Sequence, residues 1–261
     1  MGLKTAIRTR ALSRLPTRWR FPIERFYDYY CTGDYVKYEV QAIRKLCSST
    51  RAAVDIGANK GQLTLFLQRY SLHVHCFEPV PQLCEYLRQR FQESNVTVED
   101  CALGNVNSEL PLRIPVVKTQ RVDTRSSLVK DFRHEQILGE DISHVQEILV
   151  PVKKLDDFRL SNVGFIKIDV EGYEAQVLEG ARQTILACEP NLLIEIEQRH
   201  CIGKDINATF SYVREMGYFG YFLDNGVFRK LDEFDAEEMQ NPLNERTKHY
   251  INNFAFSRSP L

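Results

Sequence analysis

Asp55 sits in an apolar run, Val54-Asp55-Ile56, and a glycine-bracketed turn follows at once, Gly57-Ala58-Asn59-Lys60-Gly61. Seventeen residues beyond Gly61, a second apolar run ends in Glu78, within His73-Val74-His75-Cys76-Phe77-Glu78-Pro79. A glycine turn after one strand lets the backbone approach a ligand closely, and a carboxylate after the next strand accepts hydrogen bonds from ribose hydroxyls. The pair describes a Rossmann-like nucleoside pocket. The turn lacks the Gly-x-Gly-x-x-Gly that admits a dinucleotide pyrophosphate, and an acid just ahead of it repels phosphate and attracts a cation. A positively charged nucleoside suits these residues, and S-adenosylmethionine is such a molecule.

In an open α/β sheet, ligands bind beyond the carboxyl ends of the strands. Polar residues at predicted strand ends are therefore the site candidates: Asp55, Glu78, Asp100 with Cys101, Asp169 with Glu171, and Glu195 with Glu197. Asp169 closes Phe165-Ile166-Lys167-Ile168-Asp169, which places Lys167 on the same strand face. A lysine there either neutralises a buried acid or belongs to the site. Asp169 can take a proton from a substrate hydroxyl, with His200 or Glu197 assisting. The remaining histidines, His73, His75, His134, His144 and His249, form no ligand-spaced cluster, and no Gly-x-Ser-x-Gly elbow occurs.

The elements that must hold these residues alternate regularly. Strands are expected at Ala52–Ile56, His73–Phe77, Val96–Val98, Phe165–Val170 and Asn191–Glu197, with final strands at Tyr218–Leu223 and Tyr250–Phe256. Helices are expected at Gln62–Tyr70, from Pro81 to about Phe91, at Tyr173–Ala187 and at Thr209–Met216. Such alternation implies a mainly parallel sheet covered on both faces. Between Glu109 and Val152, short alternating runs flank a polar stretch, Lys118 to Gln146, which reads as an insertion with little regular structure shaping the acceptor site. Residues 1–50 form a basic, aromatic helical extension broken at Gly33, and residues 51–261 the main domain.

Composition sets outer limits. The chain has 261 residues, 43% hydrophobic and 26% charged, with a net charge of −1, which gives no general attraction to nucleic acid. Seven cysteines without a Cys-x-x-Cys pair fit a reducing, cytoplasmic setting. Through Arg25 the chain carries seven basic residues against Glu24 alone, with Leu3, Ile7, Ala11 and Leu15 at helical spacing. Three readings stay open for that segment: a solvated cap on the domain, peripheral attachment to anionic lipid, and an organellar transit peptide.

Taken in order, Val54-Asp55-Ile56-Gly57-Ala58-Asn59-Lys60-Gly61, Phe77-Glu78-Pro79, Ala102-Leu103-Gly104, Leu155-Asp156-Asp157 and Ile166 to Glu174 resemble the FkbM-type methyltransferase family. Leu193 to His200 resembles members that accompany polysaccharide biosynthesis. The resemblance implies a class I methyltransferase fold, with a mostly parallel seven-stranded sheet, and S-adenosylmethionine as donor. It implies O-methylation of a sugar, glycoconjugate or polyketide hydroxyl. By position, Asp55, Gly57, Ala58, Asn59 and Gly61 hold the methionine moiety, Glu78 the ribose, and Asp100 with Cys101 the adenine. Asp169 lies beside the transferred methyl. Magnesium serves related O-methyltransferases at comparable acids, but no ligand set here compels it. The rivals are a nucleoside-binding module without catalysis, a nucleotide-modifying methyltransferase and a dehydrogenase.

Overall fold

Each short apolar run between polar segments becomes one element. The computed structural model describes residues 12, 15–30, 34–130, 132, 136–137, 140–201, 205–241, 243 and 250–261. From Thr17 on come α1 (Thr17–Tyr30) and α2 (Asp34–Leu46), followed by β1 (Ala52–Ile56), α3 (Thr64–Tyr70), β2 (Val74–Phe77), α4 (Pro81–Arg90) and β3 (Val96–Glu99). Pro81 opens α4 where a missing N–H costs nothing. The chain then runs through β4 (Ala102–Leu103), β5 (Ser108–Val117), β6 (Gln120–Arg121), β7 (Gln136–Ile137) and β8 (Glu140–Lys153). It returns with β9 (Val163–Ile168), α5 (Glu174–Gly180), α6 (Arg182–Cys188), β10 (Asn191–Glu195) and α7 (Ile206–Glu215). The hairpin β11 (Phe219–Asp224) and β12 (Val227–Lys230), then α8 (Ala236–Met239) and β13 (Asn253–Ser257), complete it.

The main sheet has eight strands, in the order β12-β11-β13-β10-β9-β1-β2-β3. From β3 to β10 the pairs are parallel, whereas β13 runs antiparallel to both its neighbours. Strand order reverses between β1 and β9, and a crevice opens at such a switch point. Register decides what faces it. Ile56 pairs with Phe77 on one side and Ile168 on the other, and Ile168 pairs with Ile194. The next residues, Gly57, Glu78, Asp169 and Glu195, therefore form one row across the strand ends.

Helices bury both faces, as the alternation predicts. Val54, Ile56, Ile166 and Ile168 pack with Val177, Leu178 and Ile185 on one face. Ala53, Phe165 and Leu193 pack with Phe66, Leu67 and Leu87 on the other, where Ala42, Ile43 and Leu46 of α2 join them. Residues 1–50 thus contribute directly to the core through α2.

Three sequence expectations need correction. The main sheet has eight strands because β12 folds back on β11, antiparallel from Tyr221–Lys230 to Asp224–Val227; the seven expected strands are all present. The stretch from Lys118 to Gln146 supplies β6, β7 and the outer half of β8 to a second, five-stranded sheet of β4, β8, β5, β6 and β7. Its long strand β8 pairs with β5 from Ser108–Val152 to Val117–Ile142. Backbone hydrogen bonds hold the outer half of β8, where no apolar alternation marks a strand and every residue from Glu140 to Glu147 is exposed or half-buried. The expected helix Tyr173–Ala187 is two, broken at Ala181; Gly180 passes so close to Gly104 that a Cβ would sit 1.8 Å from its carbonyl oxygen. The basic pattern of Leu3, Ile7 and Ala11, together with His134 and His249, lies outside the described residues.

Candidate active site

The row of strand ends opens into a cavity of about 430 Å³. One wall is the turn after β1: Gly57, Ala58, Asn59 and Lys60, with Gln62 and Leu63. Gly57 (φ +81°) and Gly61 (φ +71°) both occupy the left-handed region, and so does Asn59 at +51°. A Cβ on Gly57 would lie 1.9 Å from the Asp169 carbonyl oxygen, so two strand ends approach there as only glycine allows. The second sheet forms another wall through Ala102, Leu103 and Leu112, with Asp123, Thr124, Ser126 and Leu128 from the connection after β6.

Glu78 is fixed by the backbone. Its Oε2 accepts from the Asn59 N–H at 2.8 Å and its Oε1 from the Val80 N–H at 2.9 Å. Each oxygen keeps a lone pair for a further donor. Burial raises its pKa to about 7 against the lowering effect of those two bonds.

The floor is an acid cluster around one cation. Lys167 Nζ lies 2.9 Å from Asp169 Oδ2. Glu39, Asp55 and Glu195 line the same cavity. Asp55 also accepts from Thr64 Oγ1 at 2.6 Å, and Glu195 from Asn252 Nδ2 at 2.8 Å. Burial raises Glu39 to about 7 and raises both Asp55 and Glu195, while Lys167 pulls all three back down.

Glu171 closes the other side. It holds a left-handed φ of 52°, and its Oε2 is buried without a hydrogen bond. His200 Nε2 lies 3.6 Å from that oxygen, Lys130 Nζ 3.7 Å and Arg125 Nη1 4.0 Å. Burial first, then the neighbouring Asp169, raises Glu171 to about 7. Ser127 ties this corner to the second sheet by donating to the Glu171 carbonyl at 2.7 Å.

Residues 55–219 match the family described as "Methyltransferase FkbM domain". The chain belongs to the FkbM methyltransferase family. The FkbM domain covers the whole expected motif series from Asp55 to beyond His200, and its fold is the class I methyltransferase type. "Methyltransferase 1" of Beauveria bassiana (strain ARSEF 2860) is 27% identical over 157 residues, covering 55% of this chain and 63% of that protein. "Methyltransferase sdnD" of Sordaria araneosa is 24% identical over 180 residues, covering 59% and 70% respectively. The crystal structure of Methyltransferase FkbM from Methylobacillus flagellatus KT matches with a TM-score of 0.51 at 19% identity, a likeness of fold. It involves 80% of this chain and 44% of that one, so the chain spans less than half of that structure and 63% of the Beauveria relative.

The methyl donor of this family, S-adenosylmethionine, fits the residues present. Seven carboxyl groups against Lys167 and Lys60 in the lining suit a cation, and Glu78 offers free lone pairs to a diol. Asp55, Gly57, Ala58, Asn59, Glu78, Cys101 and Asp169 all line the cavity. Gly61 does not, but it gives the turn its second left-handed glycine; a Cβ there would meet Phe91 at 2.5 Å.

Three predicted site residues are placed elsewhere. Asp100 is outside the lining, its side chain 66% exposed and 3.5 Å from Arg88, because β3 is the sheet edge and α4 offers a cation there. Glu197 is drawn away by Arg199 at 2.7 Å and by the Tyr250 hydroxyl. His200 is buried behind Glu171, with Nε2 2.9 Å from Lys130 Nζ. Burial and then Lys130 push its pKa down to about 2, so it is neutral. Glu39 and Asp123 are lining residues that the sequence reading missed. Glu39 carried a signal: an acid three, four and seven residues before Ala42, Ile43 and Leu46 shares their buried face. Asp123 carried none. Among the described residues, no three His, Cys, Asp or Glu side chains converge as an ion site.

Proposed function

We propose that this chain transfers a methyl group from S-adenosylmethionine to a hydroxyl of a sugar or glycoconjugate. The observation that carries this reading is the placement of Glu171, a pocket carboxylate raised to about 7, beside Asp169 at the end of β9. S-adenosylmethionine supplies an electrophilic methyl carbon when bound. The chain must align a nucleophile, keep water out and remove a proton, since an alcohol is a poor nucleophile while protonated. Glu78 and the Gly57–Asn59 turn serve to bind the donor, and Asp55 and Asp169 provide negative potential. Glu171 is the better proton acceptor, since the Lys167 ammonium already occupies an Asp169 oxygen. His200 and Lys130 hold Glu171 in place from behind. Asp123, Glu171 and Tyr173 line one cavity, a mixture of acceptors and an aromatic ring that suits a polyol.

The test is direct. Calorimetry with the full chain should show binding of S-adenosylhomocysteine and none of NAD, and labelled S-adenosylmethionine should methylate a member of a glycan and sugar panel. Binding without transfer to any hydroxyl acceptor would leave a nucleoside-binding module. Transfer only to a non-carbohydrate hydroxyl would reassign the acceptor to a small natural product.

A further inference from the structure

Helix α1 is turned inside out. Arg20, Glu24 and Asp28 face the protein: Arg20 Nε donates to Glu24 at 2.9 Å, the Tyr86 hydroxyl donates to Glu24 at 2.6 Å, and Arg90 Nη2 donates to Asp28 at 2.6 Å. Phe21 goes inward, against Tyr86 with ring centroids 5.5 Å apart. The outward stripe is apolar. Leu15 (38% exposed), Trp19 (60%), Pro22 and Phe26 (57%) recur at helical spacing. Water is a poor medium for such a stripe, and large exposed apolar patches mark interaction sites.

Charge selects the occupant. Through Arg25 the chain has seven basic residues and one acid, whereas the other 236 residues hold 27 basic and 34 acidic. A second copy docking through the same stripe would bring two strongly positive segments together. An anionic lipid surface meets both features, because aromatic side chains favour the headgroup level and basic residues are drawn to its charge. We propose that α1 lies in the interface of an anionic membrane, with Trp19 and Phe26 inserted and the basic excess of the segment through Arg25 supplying the attraction to the phosphates. Its 14 residues are too few to span a bilayer, so it lies along the surface. The attachment reaches the candidate site: Arg90, which binds Asp28 of α1, also donates to the Lys60 carbonyl of the glycine turn at 2.9 Å. This inference stands independently of the acceptor.

Trp19 is the single tryptophan of the chain, so its fluorescence reports on this stripe alone. The full chain would be titrated with vesicles of equimolar phosphatidylserine and phosphatidylcholine, and separately with phosphatidylcholine alone. The expected result is a blue shift with the anionic vesicles, at least about tenfold stronger partitioning to them, and weakening by high salt. Phe26→Ser should cut that partitioning about tenfold while leaving S-adenosylhomocysteine affinity and melting temperature unchanged. Three results would overturn the proposal: no shift with either vesicle, equal partitioning to both, or a lipid-free shift that grows with protein concentration. The last would mean self-association.

Discussion

The ammonium of Lys167 lies 2.9 Å from the Asp169 carboxylate, and the lysine side chain is only 2% exposed. Burial works against its charge, yet Asp169, then Glu39, Glu195 and Asp55 hold its pKa above the ordinary value. One cation therefore steadies four carboxylates. Lys167→Met should cost about 3–5 kcal/mol in urea unfolding at neutral pH, since it leaves buried charges unpaired. Asp169→Asn should cost far less, because three acids still face the lysine. Equal stability of Lys167→Met and the native chain would show that the cluster is not held this way.

Glu78 spends one lone pair of each oxygen on the N–H groups of Asn59 and Val80. Glu78→Gln sets an amide N–H against one of those donors and weakens the acceptor for a diol. S-adenosylhomocysteine affinity should fall about ten- to a hundredfold by calorimetry, as for losing a charged hydrogen bond. An unchanged affinity would place the ribose elsewhere.

The β1 to Glu78 unit and the Asp169 strand end were legible because apolar runs, glycines and terminal acids are local signals. The side walls were not. The strand from Glu140 to Lys153 is polar on both faces in its outer half, so hydrophobic alternation could not mark it. Strand-end position marks Asp100 and Glu197 as candidates, and His200 just beyond them, but it says nothing of which way a side chain turns. Arg88 takes Asp100 outward, and Arg199 and Tyr250 claim Glu197. Those partners come from other elements or from the following turn, and only the fold brings them together.

Gly57 offers a backbone test. Alanine there meets both a φ of +81° and the Asp169 carbonyl oxygen 1.9 Å from its Cβ. β1 and β9 must separate to admit it, which moves Asp169 away from the turn. Gly57→Ala should lose S-adenosylhomocysteine binding beyond calorimetric detection and destabilise the chain by about 1–3 kcal/mol, a common cost of a backbone held in a disfavoured region. A folded variant with native affinity would refute the close approach.

Glu171 links catalysis to stability with opposite signs. A base acts ionised, so kcat/KM should rise with pH and level off above about 7, the value to which burial and Asp169 raise this carboxyl. Glu171→Gln should flatten that limb and lower kcat/KM by about 10²–10⁴. In folding, the native chain holds the Glu171 proton between 4.5 and about 7, whereas the unfolded chain has released it. Its contribution to stability is therefore full below 4.5 and is lost as pH rises through about 7. The neutral glutamine does not titrate, so the variant's melting temperature relative to the native chain should climb across that interval. A variant that keeps the native pH–rate profile would remove Glu171 as proton acceptor and return that role to Asp169. A melting difference independent of pH would instead mean that the three nearby nitrogens already keep the carboxylate ionised.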